Sequence, residues 1–149
     1  MPHSNRYLRI VRASAWYDIV ATSAFTTPWT LGAFLRVLNG MAVAMSTAPV
    51  PPFDPVHTLF ANLLGSVVLV WAAVRLWRTV PAYGIFDGVA RVLFALWEGV
   101  ALYHGATPLI VPFLVVELAF GAAQLLPVVR DVIRRRERGR REECAYYHR

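Results

Sequence analysis

The stretch that decides the fold is VHTLFANLLGSVVLVWAAVRLW, residues 56–77. It contains no formal charge between Asp54 and Arg75. A helix rises about 1.5 Å per residue, so it needs roughly 20 mostly apolar residues to cross a bilayer core of about 30 Å. Three other stretches meet the same requirement, namely residues 7–27, 85–104 and 109–129. The sequence therefore predicts an all-α integral membrane protein, a bundle of four transmembrane helices.

The composition argues against a soluble domain. Hydrophobic residues make up 57% of the 149 residues and charged residues only 16%, whereas soluble domains carry about 25% charged residues. The single cysteine, Cys144, excludes an intramolecular disulfide and a CxxC redox pair. The motifs of serine hydrolases, zinc proteases and phosphate loops are absent. Enzymatic chemistry is thus the least favoured function, and neither a metal nor another cofactor is predicted.

Arginine supplies all 15 basic residues, and the net charge is +6. With four spans, the arginine clusters at the N-terminus, between spans two and three, and in the C-terminal tail all lie on one side of the membrane. The opposite side then carries only Arg36, so both termini are predicted to be cytoplasmic. The exclusive use of arginine is typical of a GC-rich bacterial genome, which indicates a bacterial inner membrane. Topology explains the basic tail, so no nucleic-acid partner is predicted.

Residues 28–46 form a shorter apolar segment between spans one and two. The pattern is helical, but the segment carries Arg36 and Asn39. A fifth span here would place the N-terminal arginines opposite those of the tail. The charge pattern therefore favours either an interfacial or a re-entrant helix.

The rest of the chain consists of a connector and a tail. Residues 47–54 are rich in proline and are predicted to be extended. Asp54 is predicted to cap the next helix, with Pro55 at its first position. Residues 1–133 are then one domain, the four-span bundle, and residues 134–149 are an arginine-rich cytoplasmic tail.

Each predicted span has a polar face. On span three, Asp87, Arg91 and Glu98 fall within one narrow arc at 100° per residue. A charge costs at least ~2.5 kcal/mol near the bilayer centre, so this arc should face the bundle interior. Gly84 and Gly88 form a GxxxG step on the same face, which lets a neighbouring helix approach closely. The other spans align Ser14 with Asp18, Asn62 with Ser66, and Glu117 with Gln124.

Three of these carboxyl groups share one depth. Asp18, Glu98 and Glu117 lie six to nine residues from the non-cytoplasmic ends of their spans, or roughly 9–14 Å below that edge. They cannot all stay ionised unless a cation lies among them. Arg91 is the nearest candidate, although it can equally pair with Asp87. One polar pocket in the outer half of the bilayer is predicted, with these ligand-binding residues: Asp18, Asn62, Ser66, Arg91, Glu98, Glu117 and Gln124.

The pocket is compatible with functions of different classes. It can bind a small apolar or cationic ligand, with the carboxyls facing an amine and aromatic side chains holding an apolar body. Alternatively, the polar groups fix helix register in a structural or accessory subunit of a membrane complex, or they carry protons or ions. Four spans make a complete transporter only as an oligomer. Ala119 and Ala123 form a second small-residue face that suits a homodimer.

A resemblance to known proteins rests on residues 62–66 (NLLGS), Trp71, Arg75, Gly84, Asp87, Arg91, Glu117 and Gln124. In these residues the chain is similar to small uncharacterised proteobacterial inner-membrane proteins, and its architecture resembles the DoxX-like group of four-helix membrane proteins. The resemblance covers the spans and not the tail, implies a link to quinone-coupled sulfur oxidation, and assigns no site residue here. The carboxyl pattern is also similar to the four-span sterol-isomerase and sigma-2-receptor group, in which acidic residues meet a ligand amine.

Overall fold

A computed structural model describes the backbone of residues 5–147, and in the tail it leaves the side chains of residues 139 and 141–147 undescribed. This part of the chain consists of helices and connecting loops without a strand, which confirms the predicted all-α class. It contains five α-helices: α1 (Asn5–Thr22), α2 (Pro28–Ala44), α3 (Pro55–Trp77), α4 (Pro81–Tyr103) and α5 (Val111–Tyr147). Two short 3₁₀ helices, Ser23–Phe25 and Pro108–Ile110, lie between them. Cys144 falls outside the described side chains.

Proline sets the start of three helices. Pro28, Pro55 and Pro81 each stand at the first helical position, where a missing N–H costs nothing and the fixed φ suits the helix. The Asp54 side chain accepts a hydrogen bond from the His57 N–H at 2.8 Å, which confirms the predicted cap. Helix α4 begins four residues before the predicted residue 85, because Pro81 starts the helix ahead of the apolar run.

The α-helix of the first predicted span ends five residues before the predicted residue 27. Helix α1 ends at Thr22, a 3₁₀ turn follows, and the Thr27 side chain caps α2 by accepting from the Thr30 N–H at 3.2 Å. Hydroxyl groups bond to nearby carbonyls throughout this turn, including Thr22 Oγ1 to Asp18 O at 2.6 Å. Such local bonds compete with the helical ladder. Residues 28–46 therefore begin a new helix, as predicted, after a sharp break.

Helices α4 and α5 pack along each other, and α1 packs along α3 while also contacting α4 and α5. Glycine makes these approaches close. A Cβ at Gly84 would lie 2.6 Å from Val11 of α1, and a Cβ at Gly88 would lie 2.7 Å from Leu125 of α5. The GxxxG step of α4 thus serves two different neighbours. Helix α2 rests on α3 and on the 3₁₀ turn at its own start.

Polar side chains fill the middle of the molecule and apolar ones cover its outside. Arg75 and Gln124 are 0% exposed, whereas Val67 and Val70 of α3 are 66% and 64% exposed. Two helical segments, Pro55–Trp77 and Pro108–Arg138, are long and apolar enough to cross a membrane. Each of these segments has an 18-residue stretch with at most two charged residues. Every 18-residue stretch of α4 contains three, and the 18 residues of α1 contain four, which sets both helices apart.

Candidate functional site: a buried ion network beside an apolar cavity

Two arginines lie at the centre of the described helices. Arg75 comes from α3 and Arg91 from α4, and both side chains are buried. Three carboxylates surround them, each also buried. We call this set the ion network: Asp18, Arg75, Asp87, Arg91 and Glu117.

Arg91 joins two helices to its own. Its Nη2 lies 2.8 Å from Asp18 Oδ1 on α1, its Nη1 lies 2.8 Å from Glu117 Oε2 on α5, and its Nε lies 3.1 Å from Asp87 Oδ2 one turn earlier on α4. The planar guanidinium fork can serve carboxylates in three directions at once. Arg91 therefore pairs with Asp87 and also with Asp18 and Glu117. From the sequence, these two kinds of pairing were alternatives.

Arg75 closes the other side of the network. Its Nη2 donates to Asp18 Oδ2, and its Nη1 lies 2.6 Å from Asp87 Oδ2. The same Nη1 donates to Ser14 Oγ at 3.0 Å. Asp18 and Asp87 each contact both arginines, so four side chains form a closed ring of charge that links α1, α3 and α4.

Neutral polar groups complete the coordination of Asp87. Gln124 Nε2 donates to Asp87 Oδ2 at 2.7 Å and to Ser14 Oγ at 2.9 Å, and Trp71 Nε1 donates to Asp87 Oδ1 at 3.3 Å. A buried charge is tolerated when its lone pairs are satisfied in this way. With Gln124 from α5 and Trp71 from α3, the network also fixes how the helices are rotated about their axes.

Aromatic rings shield the guanidinium groups. The Arg91 guanidinium carbon lies 4.9 Å from the centroid of Phe120 and 5.8 Å from that of Tyr17. The Arg75 guanidinium carbon lies 5.6 Å from the Trp71 ring. A ring face attracts a cation electrostatically and also excludes water. The arginines are thus held by charge on their edges and by π systems on their faces.

An apolar cavity of about 1080 Å³ opens beside the network. Its walls come from all five helices, the connector and the loop before α5, and the apolar part includes Phe34, Leu38, Val68, Phe94 and Phe113. Small-molecule pockets usually enclose roughly 300–1,000 Å³, so this cavity can hold an elongated organic molecule.

Three carboxyl groups line the cavity. Asp18 and Glu117 reach it from the edge of the ion network, and Glu98 reaches it from α4. Asp18 and Glu117 accept hydrogen bonds from arginine. Glu98 differs, because its Oε2 is buried and has no hydrogen-bond partner within the described part of the chain.

The remaining predicted pocket residues lie elsewhere. Asn62 donates to the carbonyl of Phe25 at 2.7 Å and so ties α3 to the 3₁₀ turn. Ser66 is exposed and does not line the cavity. Gln124 donates to Asp87 of the network and does not line the cavity. The structure thus divides the predicted pocket into a buried network and an open cavity, and Asp18 and Glu117 belong to both.

Sequence reasoning left Arg75 out of the site. Arg75 stands near the end of an apolar run, next to Arg78, and the pair matches a cytoplasmic charge cluster. Only Arg78 is exposed, whereas the Arg75 side chain turns inward. The signal that could have found it is the charge balance, since Asp18, Asp87 and Glu117 greatly outweigh a single arginine. Asp87, Ser14 and Trp71 also belong to the site.

No three His, Cys, Asp or Glu side chains among the described residues are arranged to hold a metal ion. No protein-family model, curated protein or solved structure matches the chain. The DoxX-like architecture therefore stays a prediction.

Proposed function

We propose that the chain is an integral protein of the bacterial inner membrane, in which α1, α3, α4 and α5 cross the bilayer around the ion network and the cavity binds a small apolar or cationic ligand. The proposal rests on the distribution of polarity, which is the reverse of that in a soluble protein. The buried residues include two arginines and three carboxylates, while many Val, Leu, Phe and Trp side chains are exposed. A soluble monomer rarely exposes a contiguous apolar patch beyond a few hundred Å².

Pairing of the charges supports spans by α1 and α4 as well. Because of their charged residues, α1 and α4 are not among the helices whose composition alone is apolar enough to cross a membrane. Asp18, Asp87 and Arg91 are nevertheless buried against partners, so a surrounding lipid would meet none of them. In the arrangement we propose, α2 caps the cavity at the interface and both termini are cytoplasmic.

Labelling of single cysteines tests this topology. Cys144 is the only cysteine, so the native chain reports on the tail directly. In intact spheroplasts a membrane-impermeant maleimide should leave Cys144 unlabelled and should label a Thr47→Cys, Cys144→Ser variant. A Val67→Cys, Cys144→Ser variant should resist labelling even after permeabilisation. Labelling of Val67→Cys in intact membranes would contradict the proposal.

Ligand binding is tested with a neutral apolar probe. Dodecanol should raise the melting temperature of the full chain in lipid nanodiscs, because a molecule that binds only the folded state stabilises it. Ala101→Trp places an indole in the cavity and should abolish the rise. Val89→Trp, on the exposed side of the same helix, should preserve it. Equal shifts in all three proteins would mean that dodecanol acts through the lipid.

A second candidate, a structural or accessory subunit of a membrane complex, is favoured by the pairing of every carboxylate in the network. All three of its carboxylates already contact arginine, as side chains that only fix helix register would do. In this second function the chain would act as a homodimer or as part of a larger membrane complex. An Ala101→Trp chain that keeps all cellular activity would favour it over ligand binding.

A further inference from the structure

Glu98 is the one cavity carboxyl that lacks an arginine. The Asp18 and Glu117 carboxylates accept from guanidinium groups behind the cavity wall. The Oε2 of Glu98 is buried without any hydrogen-bond partner in the described chain. Leaving a buried polar group unsatisfied costs free energy. A ligand that donates a hydrogen bond to this oxygen removes that cost, which favours its binding.

The charge balance indicates whether a cationic or an anionic ligand suits the site. Asp18, Asp87 and Glu117 carry three negative charges when ionised, against two positive charges on Arg75 and Arg91. Ionised Glu98 adds a fourth negative charge, and it lines the cavity together with Asp18 and Glu117. A cation therefore complements this wall, whereas an anion would be repelled.

The hydrogen-bonding requirement narrows the cation further. An ionised carboxylate accepts hydrogen bonds and donates none, so its partner must carry an N–H or O–H group. A protonated primary, secondary or tertiary amine offers both the charge and the donor, and charge-assisted bonds are about twice as strong as neutral ones. A quaternary ammonium offers the charge alone, and an alcohol offers the donor alone.

The walls next to Glu98 determine the rest of the molecule. Phe94, one turn before Glu98, and Ala101, nearly one turn after it, both line the cavity. Phe34 and Leu38 of α2 form part of the apolar wall. We propose that Glu98 binds the protonated amine of an amphiphile that carries at least one N–H, with its apolar chain in the cavity. This inference rests on the proposed function.

The test compares three twelve-carbon probes on the full chain in lipid nanodiscs: dodecylamine, dodecyltrimethylammonium and dodecanol. Near pH 7 an alkylamine is protonated, as lysine is. Wild-type protein should bind dodecylamine about tenfold or more tightly than either other probe. Glu98→Gln should remove that preference and leave dodecanol binding unchanged. Glu137→Gln, an exposed carboxyl of the tail, should leave all three affinities at their wild-type values.

Each result separates the two proposals. If wild-type protein binds the amine and the quaternary ammonium equally, the inference on Glu98 is wrong, and this comparison needs no variant. If Glu98→Gln retains the amine preference, it is also wrong, although dodecanol binding still supports the cavity. If none of the three probes binds, the proposed ligand-binding function itself fails.

Discussion

The two ends of α4 carry the same kind of small residue, yet one end is closed and the other is open. A Cβ at Gly84 would lie 2.6 Å from both Tyr7 Oη and Val11 Cγ2, whereas a Cβ at Gly99 would meet nothing within 4 Å. Small residues allow a neighbouring helix to come close but do not bring it there. The side chains of α1 fill the first end, and the second end lies beside the cavity-lining Glu98.

Between these ends, the ion network marks the boundary. On one side of it, Val11 and Ala15 of α1 are wholly enclosed. On the other side, a cavity of about 1080 Å³ remains. One helix therefore contributes both to a sealed structural core and to a candidate binding site, and substitutions can separate the two roles.

The largest effect is expected from Arg91→Met. This change leaves Asp18, Asp87 and Glu117 with only Arg75 among them, and breaking a buried pair by removing one partner costs about 3–5 kcal/mol. The free energy of unfolding, measured by denaturant titration in mixed micelles, should fall by that amount. Arg78→Met removes an exposed arginine and should change it by less than about 0.5 kcal/mol. Equal effects would mean that the network adds no stability.

Alanine at the two glycines of α4 should give opposite signs. Gly84→Ala forces Tyr7 or Val11 to move, and overpacking of this kind costs about 1–3 kcal/mol. Gly99→Ala meets open space and should gain up to about 1 kcal/mol from helix propensity. Unfolding free energies of the two variants provide the comparison. Destabilisation by Gly99→Ala would show that the open end is tightly packed.

A smaller effect is expected at the cavity wall. The Asn39 side chain holds the connector, accepting from Val50 N–H at 2.8 Å and donating to Val50 O at 3.2 Å. Asn39→Ala removes both bonds, each contributing about 0.5–1.5 kcal/mol. Hydrogen exchange at the Val50 amide should accelerate, while exchange at the buried centre of α4 stays slow. Uniform acceleration would indicate global destabilisation instead of a loosened wall.

The smallest effect is expected at the start of α3. The backbone N–H of His57 bonds to the Asp54 carboxylate and lowers its pKa. This carboxylate therefore stabilises the helix start above the ordinary aspartate pKa of about 3.9. The contribution is lost as the pH falls through the lower folded-state value.

Amide exchange in the first turn of α3 should accelerate at acid pH beyond the intrinsic trend. Asn is nearly as good a cap as Asp and does not titrate, so Asp54→Asn should remove this pH dependence. A pH dependence that persists in Asp54→Asn would have to come from a different group.

Local chemistry made much of the fold predictable. Asp54 and Pro55 fixed the start of α3, because capping and proline placement depend on adjacent residues alone. The end of α1 was harder to predict. The apolar run continues to Thr27, and only the hydroxyl-to-carbonyl bonds of the structure show that the helix stops at Thr22.

For the site, the sequence predicted which helix faces turn inward, but it did not predict which side chains contact one another. Periodicity correctly turns Asp87 and Arg91 inward, because it depends on helix geometry. It also groups Ser66 with Asn62, which lies 40° away, but Ser66 is exposed because it stands one helical step of 100° from the buried Gly65. For Arg75, the length of the side chain decides the outcome, since a residue near the end of a span can reach into the middle.

The ion network also bears on how the chain is made. In the membrane-spanning arrangement we propose, α4 would enter lipid with Asp87, Arg91 and Glu98, at a cost of roughly 2.5–3.5 kcal/mol for each charge near the centre. Asp18 and Arg75 are synthesised before α4, but Glu117 follows it. Helix α4 must therefore leave the insertion machinery against α1 and α3, and it gains the last carboxylate partner of Arg91 only when α5 arrives.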